Sequence, residues 1–211
     1  MQNPSLPNPE TNQKGYTIIE LGIALTIIAV LIVAGLAGVT AVLNNSKANA
    51  QIEESGIVLA KLQSTLTSTN ATGLTTAVAV GSSYFPTSRV SGSTVTNKFT
   101  GNEFVASNAN ALTSTEGVVA AIGGGAIYTI TGVPKAVCAN IATSLATLAN
   151  SAWVYSGTGV TEATSTSGTS NFTVGTSQIK APGGQVQGAK VGTQCNSGTT
   201  DTVNLAFFLR P

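Results

Sequence analysis

The chain has 211 residues and a formal net charge of +1, and only 8% of its residues are charged. It contains no histidine and only two cysteines. So little charge gives no electrostatic basis for binding nucleic acid, and so few histidine, cysteine and carboxylate side chains leave little for a metal site or an acid–base pair. We therefore expect no catalytic residues, no cofactor and no metal ion.

Residues 1–14 are polar, contain Pro4, Pro7 and Pro9, and lack the apolar core of a secretory signal peptide. The apolar segment comes later, since no charged residue occurs between Glu20 and Lys47. Crossing the hydrocarbon core of a membrane takes about 20 apolar residues, and they must be helical because lipid offers no partner to free backbone groups. We therefore predict that residues 16–43 span a membrane.

Glu20 is costly in such a segment. A carboxylate at membrane depth costs about 2.5 kcal/mol or more unless it is paired or close to the interface. The residues before it are Lys14, Gly15 and aromatic Tyr16, and Glu20 is the fifth residue counted from Tyr16. A basic residue, a glycine, an apolar residue and a glutamate at the fifth place resemble the processing site of type IV prepilins.

The resemblance implies that residues 1–15 are a leader, removed after Gly15 by a membrane aspartyl peptidase. It also implies that the new N-terminus at Tyr16 is methylated and that Glu20 is the glutamate of the mature helix. The leader would be cytoplasmic and the body, residues 44–211, would lie outside. An ordinary signal anchor with a glutamate near its edge is the alternative.

The helix is predicted to continue beyond the apolar segment, because no proline occurs between Pro9 and Pro86. Apolar residues recur at helical spacing beyond Lys47, at Ile52, Ile57 or Val58, Leu59, Leu62 and Leu66. We predict one helix from about Tyr16 to about Thr67. Gly35 and Gly38 indicate either close helix packing or local unwinding in an assembled filament.

The remaining residues predict an α+β fold, in which the second half of this helix packs on a mainly antiparallel sheet. Residues 70–125 show no strong periodicity, and we expect loops and short strands around residues 74–80, 99 and 104–105. Further predicted elements are a strand over 126–131 closed by Gly132, a helix over 134–149, short strands over 152–155, 172–174 and 185–191, and a strand over 202–209. In the last strand, Val203, Leu205, Phe207 and Leu209 share one face, and Ala206 with Phe208 indicates that the other face is partly covered.

Cys138 and Cys195 either pair, as expected in an exported body, or remain two buried free thiols. Around the first cysteine, residues 127–138 resemble the strand–helix entry of class b type IV pilins, as in thin conjugative and enteric-type pili. In that subfamily this cysteine pairs with one near the C-terminus, and a late strand completes the central sheet.

The function implied by the resemblance is that of the major structural subunit of a type IV pilus. Its partners would be other copies of itself, the prepilin peptidase, the pilus assembly machinery of the inner membrane, and the lipid bilayer before assembly. Its final location would be an extracellular fimbrium, with adhesion, DNA transfer and movement left open as roles. A minor pilin or a type II secretion pseudopilin is one alternative, and a bitopic membrane receptor or enzyme with a periplasmic domain is another.

Overall fold

The structure is a computed structural model, which describes residues 15–68, 71–107, 112–114, 117–120, 124–156 and 177–210. The chain divides into two compact units, residues 1–42 and residues 43–211. Helix α1, Ile18–Ser68, is a single element of 51 residues that begins in the first unit and ends in the second. The predicted long N-terminal helix is therefore confirmed, with its ends within two residues of the expected ones.

The second unit contains a seven-stranded antiparallel sheet. Its strands are β1 (Val90–Ser91), β2 (Thr94–Thr96), β3 (Asn102–Ser107), β6 (Ala126–Pro134), β7 (Ser151–Tyr155), β8 (Gln178–Lys180) and β9 (Thr202–Leu209). They lie in the order β1-β2-β3-β6-β9-β7-β8. Two further strands, β4 (Leu112–Ser114) and β5 (Gly117–Ala120), pair only with each other. Helices α2 (Thr76–Gly81), α3 (Lys135–Ala146) and α4 (Gly188–Cys195), with a 3-10 turn at Thr87–Arg89, complete the described elements.

Strand β9 lies near the middle of the sheet and is covered on both faces, as predicted. Val203, Leu205, Phe207 and Leu209 belong to the main core, together with buried side chains of α3 and of the second half of α1. Ala206 and Phe208 pack with Ile127 and Trp153 in a second, smaller cluster. The α+β class and the antiparallel sheet are thus confirmed.

Strand β6 does not stop at Gly132, where the sequence predicted its end. Gly132 has a φ of +68°, and the pairing of β6 with β9 shifts between Ile130 and Val133. This irregularity lets the strand continue to Pro134, because a glycine with positive φ accommodates a β-bulge.

The predicted strand over 185–191 is wrong, and a helix is present where loops and short strands were expected around residues 74–80. Residues 185–191 do not form a strand, because Val191 and Cys195 are the buried positions of helix α4 and lie four residues apart, one helical turn. Around residues 74–80 the chain forms helix α2, in which the hydroxyl of Thr75 accepts a bond from the N–H of Val78. The predicted strand over 172–174 lies outside the described residues.

Helix α3 ends at Ala146 rather than at residue 149. Lys180, from the unpredicted strand β8, donates to the carbonyls of Ala146 and Ala149 at 2.8 and 2.7 Å. A lysine at the C-terminal end of a helix satisfies carbonyls that have no partner within the helix. Leu148 lies beyond that end and is 48% exposed.

Candidate assembly site

The first half of α1 exposes apolar side chains on all sides. Its most hydropathic window has a mean hydropathy of 2.6, and no residue of that window is buried inside the described structure. By length and composition, α1 is the one described helix able to cross a membrane. The exposed large side chains are Ile18, Ile19, Leu21, Ile23, Leu25, Ile27, Ile28, Val30, Leu31, Ile32, Val33, Leu36, Val39, Val42 and Leu43. A helix that is apolar all round requires lipid or other protein around it.

The polar groups inside this segment bond within the helix. The Thr26 hydroxyl donates to the carbonyl of Ile23 at 2.8 Å, and the Thr40 hydroxyl donates to the carbonyl of Leu36 at 2.8 Å. These hydroxyls therefore need no partner from lipid or from another chain. A Cβ built on Gly35 or Gly38 would meet no atom within 4 Å. No contact with described residues of the chain therefore requires glycine at these two positions.

The structure at the start of α1 gives one local reason for a glutamate at position 20. Gly15 and Tyr16 lie before the helix and are exposed. Thr17 precedes the first helical residue, and its hydroxyl accepts a bond of 3.3 Å from the N–H of Glu20. Threonine at this place, followed three residues later by glutamate, is the capping-box pattern.

Glu20 therefore lies in the first helical turn, where a negative charge is favourable beside the positive end of the helix dipole. This role of Thr17 was not predicted, although the Thr-x-x-Glu spacing in the sequence signals it. Glu20 has a local structural role in addition to any role in assembly.

Cys138 of α3 and Cys195 of α4 form a disulfide, with their Cα atoms 5.7 Å apart. Both residues are buried. The bond closes a loop that contains β7 and β8 and holds the two short helices together. The disulfide is thus confirmed, and the alternative of two free thiols is wrong.

We predict that replacing both cysteines with serine lowers the free energy of unfolding of the second unit by about 4 kcal/mol, because the closed loop of 57 residues restricts the unfolded chain. Denaturant unfolding of the full chain in detergent measures this loss. Insertion of the protein into membranes should be unchanged, since the apolar segment contains neither cysteine. Equal stability of the native protein with and without reductant would contradict the prediction.

A cluster of buried polar side chains was not predicted. We call it the polar network: Gln51, Glu54 and Ser55 of α1, Arg89 of the 3-10 turn, Glu103 of β3 and Tyr128 of β6. Glu103 is fully buried, and its carboxylate accepts bonds from Arg89 Nη1, from Gln51 Nε2 at 2.8 Å and from the Tyr128 hydroxyl at 2.6 Å. Three donors around one carboxylate compensate much of the cost of burying its charge.

The remaining contacts of the polar network link α1 to Tyr128 and Arg89, which both bind Glu103. The Ser55 hydroxyl lies 2.9 Å from the Tyr128 hydroxyl and accepts a bond of 2.7 Å from Gln51 Nε2. Glu54 is 2.7 Å from Arg89 Nε and 2.7 Å from Lys98 Nζ. The available sequence signal was that Gln51 and Ser55 interrupt the apolar stripe at buried helical positions, which requires partners for them.

Burial raises the pKa of Tyr128 well above its usual range, and the negative charge of Glu103 beside it adds to the shift. Burial also raises the pKa of Tyr155. A raised pKa in the folded state stabilises the fold fully below the unfolded value of about 10, and this contribution is lost as pH rises through the folded value.

We therefore expect Tyr128 and Tyr155 to ionise together with alkaline unfolding rather than gradually near the usual pKa of tyrosine. Phenolate absorbance and circular dichroism, followed through one titration, should show part of the absorbance change coinciding with loss of structure. Tyr128→Phe and Tyr155→Phe should each reduce that coincident part. A titration of all four tyrosines completed before unfolding would contradict this.

No protein-family model matches the chain, and no curated protein matches its sequence. Among solved structures, the crystal structure of a type IV b pilin from Salmonella typhi is similar to it, with a TM-score of 0.49 and 15% sequence identity. The match covers 77% of this chain and 99% of that one. The chain is similar in fold to a type IV b pilin.

Proposed function

We propose that this chain is the major structural subunit of a type IV pilus. It is inserted in the inner membrane, cleaved after Gly15, methylated at Tyr16 and polymerised through the first half of α1 into an extracellular filament. The observation that carries the proposal is the exposed, predominantly apolar first half of α1, which follows Lys14-Gly15-Tyr16 closely and has Glu20 in its first turn.

The apolar segment needs lipid or protein around it both before and after the proposed assembly. Before assembly, lipid surrounds it, as its length and mean hydropathy of 2.6 allow. After assembly, the segments of neighbouring subunits cover one another, and removal of their apolar surface from water stabilises the filament core. The small number of charged residues supports this role, because it limits repulsion between many copies packed together.

Glu20 is proposed to pair with the new N-terminal amine of a neighbouring subunit. Methylation leaves the amine basic, so a charge-assisted hydrogen bond between the two groups is available. Removing both charges from water offsets most of the attraction between them. The pair therefore acts mainly on axial register, because a subunit out of step leaves an unpaired charge in an apolar core.

The processing step is tested at Gly15. We expect Gly15→Leu to abolish cleavage, since a peptidase that approaches the backbone closely has no room for a large side chain. Mass spectrometry of the membrane-associated protein should show a methylated chain starting at Tyr16 for the native sequence and an uncleaved chain for the variant. A native chain that remains uncleaved would favour the bitopic receptor or enzyme instead.

The role of Glu20 is tested with substitutions that separate its charge from its place in the capping box. Glu20→Val removes both the charge and a side chain that suits the capping box, whereas Glu20→Gln removes the charge and keeps such a side chain. Thr17→Val removes the capping hydroxyl but keeps the charge of Glu20. We expect Glu20→Val and Glu20→Gln to be inserted and cleaved but to give few filaments. Glu20→Asp should be less impaired, and Thr17→Val should assemble better than either uncharged variant.

Filaments are counted by electron microscopy and compared with the amount of cleaved subunit. Normal numbers for cleaved Glu20→Gln would exclude a role for the charge in assembly. Equal loss in Thr17→Val would assign the defect to the start of the helix. The mass of the principal band in sheared fibres distinguishes a major pilin from a minor pilin or a pseudopilin.

A further inference from the structure

We propose that the polar network is a register lock, which holds α1 at one axial position against the sheet of the second unit. Its members are positioning residues, and the lock is a property of the fold. Only its use rests on the proposed function: in a filament, tension along α1 would pass into the sheet through these contacts.

The apolar contacts of α1 define its register only in part. Beyond the network the buried side chains are Val58, Leu59, Leu62 and Leu66, which repeat every three or four residues. A slip of one helical turn, about 5.4 Å, keeps an apolar side chain at two of these four places. In one direction Leu62 comes to the place of Val58 and Leu66 to that of Leu62; in the other, Val58 comes to the place of Leu62 and Leu62 to that of Leu66. One-turn displacements of packed helices are a known kind of conformational change, and a repeating apolar stripe opposes them weakly.

The polar contacts differ from turn to turn. A slip in one direction brings Leu59 to the place of Ser55, opposite the Tyr128 hydroxyl, and Val58 to the place of Glu54. The opposite slip brings Ala50 to the place of Glu54 and Ser55 to the place of Leu59. In both cases Arg89, which is 8% exposed, loses the carboxylate 2.7 Å from its Nε.

An intact buried ion pair adds little stability over well-packed apolar side chains, whereas a buried charge that loses a partner is destabilising. In a slipped register Arg89 loses Glu54 and keeps Glu103, and the opposite slip also brings the Glu54 carboxylate to the fully buried place of Val58. The network therefore has a small effect on the free energy of the native register and a large effect on the free energies of the slipped ones. Glu103 adds to this difference, because it is fully buried and loses the bond from Gln51 of α1 in a slipped register, while it keeps the bond from Arg89. Buried polar groups that fix helix register have the same physical basis.

The contact between Gly56 and Leu148 provides a reporter of register. A Cβ built on Gly56 would lie 3.8 Å from Leu148 Cδ1, so Gly56→Cys with Leu148→Cys reports the native position. Ile52→Cys and Ala60→Cys, each with Leu148→Cys, report slips of about one turn in the two directions. The full chain in detergent is treated with a short bifunctional thiol reagent under conditions that keep the disulfide intact, and the cross-linked peptides are quantified by mass spectrometry.

Each reporter is compared in the native network and in an apolar replacement: Gln51→Leu, Glu54→Met, Ser55→Ala, Arg89→Met, Glu103→Leu and Tyr128→Phe. With the native network, we expect cross-linking at position 56 to exceed that at 52 and 60 by about tenfold or more, or about 1.4 kcal/mol between registers. In the replacement, which should still unfold cooperatively, the excess should fall to about threefold or less.

An unchanged preference for position 56 in the folded replacement would overturn the proposal. If that protein does not fold, the double variant Arg89→Met with Glu103→Leu is used, which removes only the buried pair and keeps Glu54 with Lys98. The preference for cross-linking at position 56 should then fall to a smaller extent. An unchanged preference in this variant would overturn the proposal. Cross-linking requires no filament, so failure of the proposed pilin function would leave this result unaffected. Filament counts of the folded replacement report separately whether assembly uses the lock.

Discussion

The constraint on which the structure depends is the apolar surface of residues 18–43, which the described residues leave uncovered on all sides. No arrangement of a single chain in water satisfies such a surface, so the molecule requires lipid or other protein around these residues. The hydroxyls of Thr26 and Thr40 are satisfied within the helix, which suits both environments. Glu20 is the exception, and it lies in the first turn of α1, where its backbone N–H donates to the Thr17 hydroxyl and its charge is beside the positive end of the helix dipole.

The second unit solves the opposite problem, because it must hold one face of the same helix in a single position. Its core contains leucines of α1 and the inward face of β9, and these contacts bury apolar surface. Four charged residues of this unit form one connected group of ion pairs: Glu54, Arg89, Lys98 and Glu103. The disulfide between α3 and α4 restricts a different part of the unit and does not involve α1.

The sequence predicted those elements whose local pattern and tertiary environment agree. Helix α1 lacks proline and has an apolar stripe, and β9 has alternating large side chains, so both were predicted with nearly correct bounds. Helix α4 was missed because its residues include glycines and valine, which have weak helix propensity, and because its buried residues, Val191 and Cys195, pack in a core formed by residues distant in sequence. The polar network was missed because its members are far apart in sequence: Arg89 and Glu103 lie in a region without periodicity, and nothing local shows that they meet Gln51.

The central claim is that the first half of α1 forms the core of a filament made of many copies of this chain. Cryo-electron microscopy of fibres sheared from cells, with mass spectrometry of their main band, tests it most directly. The account predicts fibres composed mainly of this chain, with residues 18–43 of every subunit packed around the filament axis and the second unit at the surface. Fibres that lack this chain, or fibres in which residues 18–43 lie on the outer surface, would contradict it.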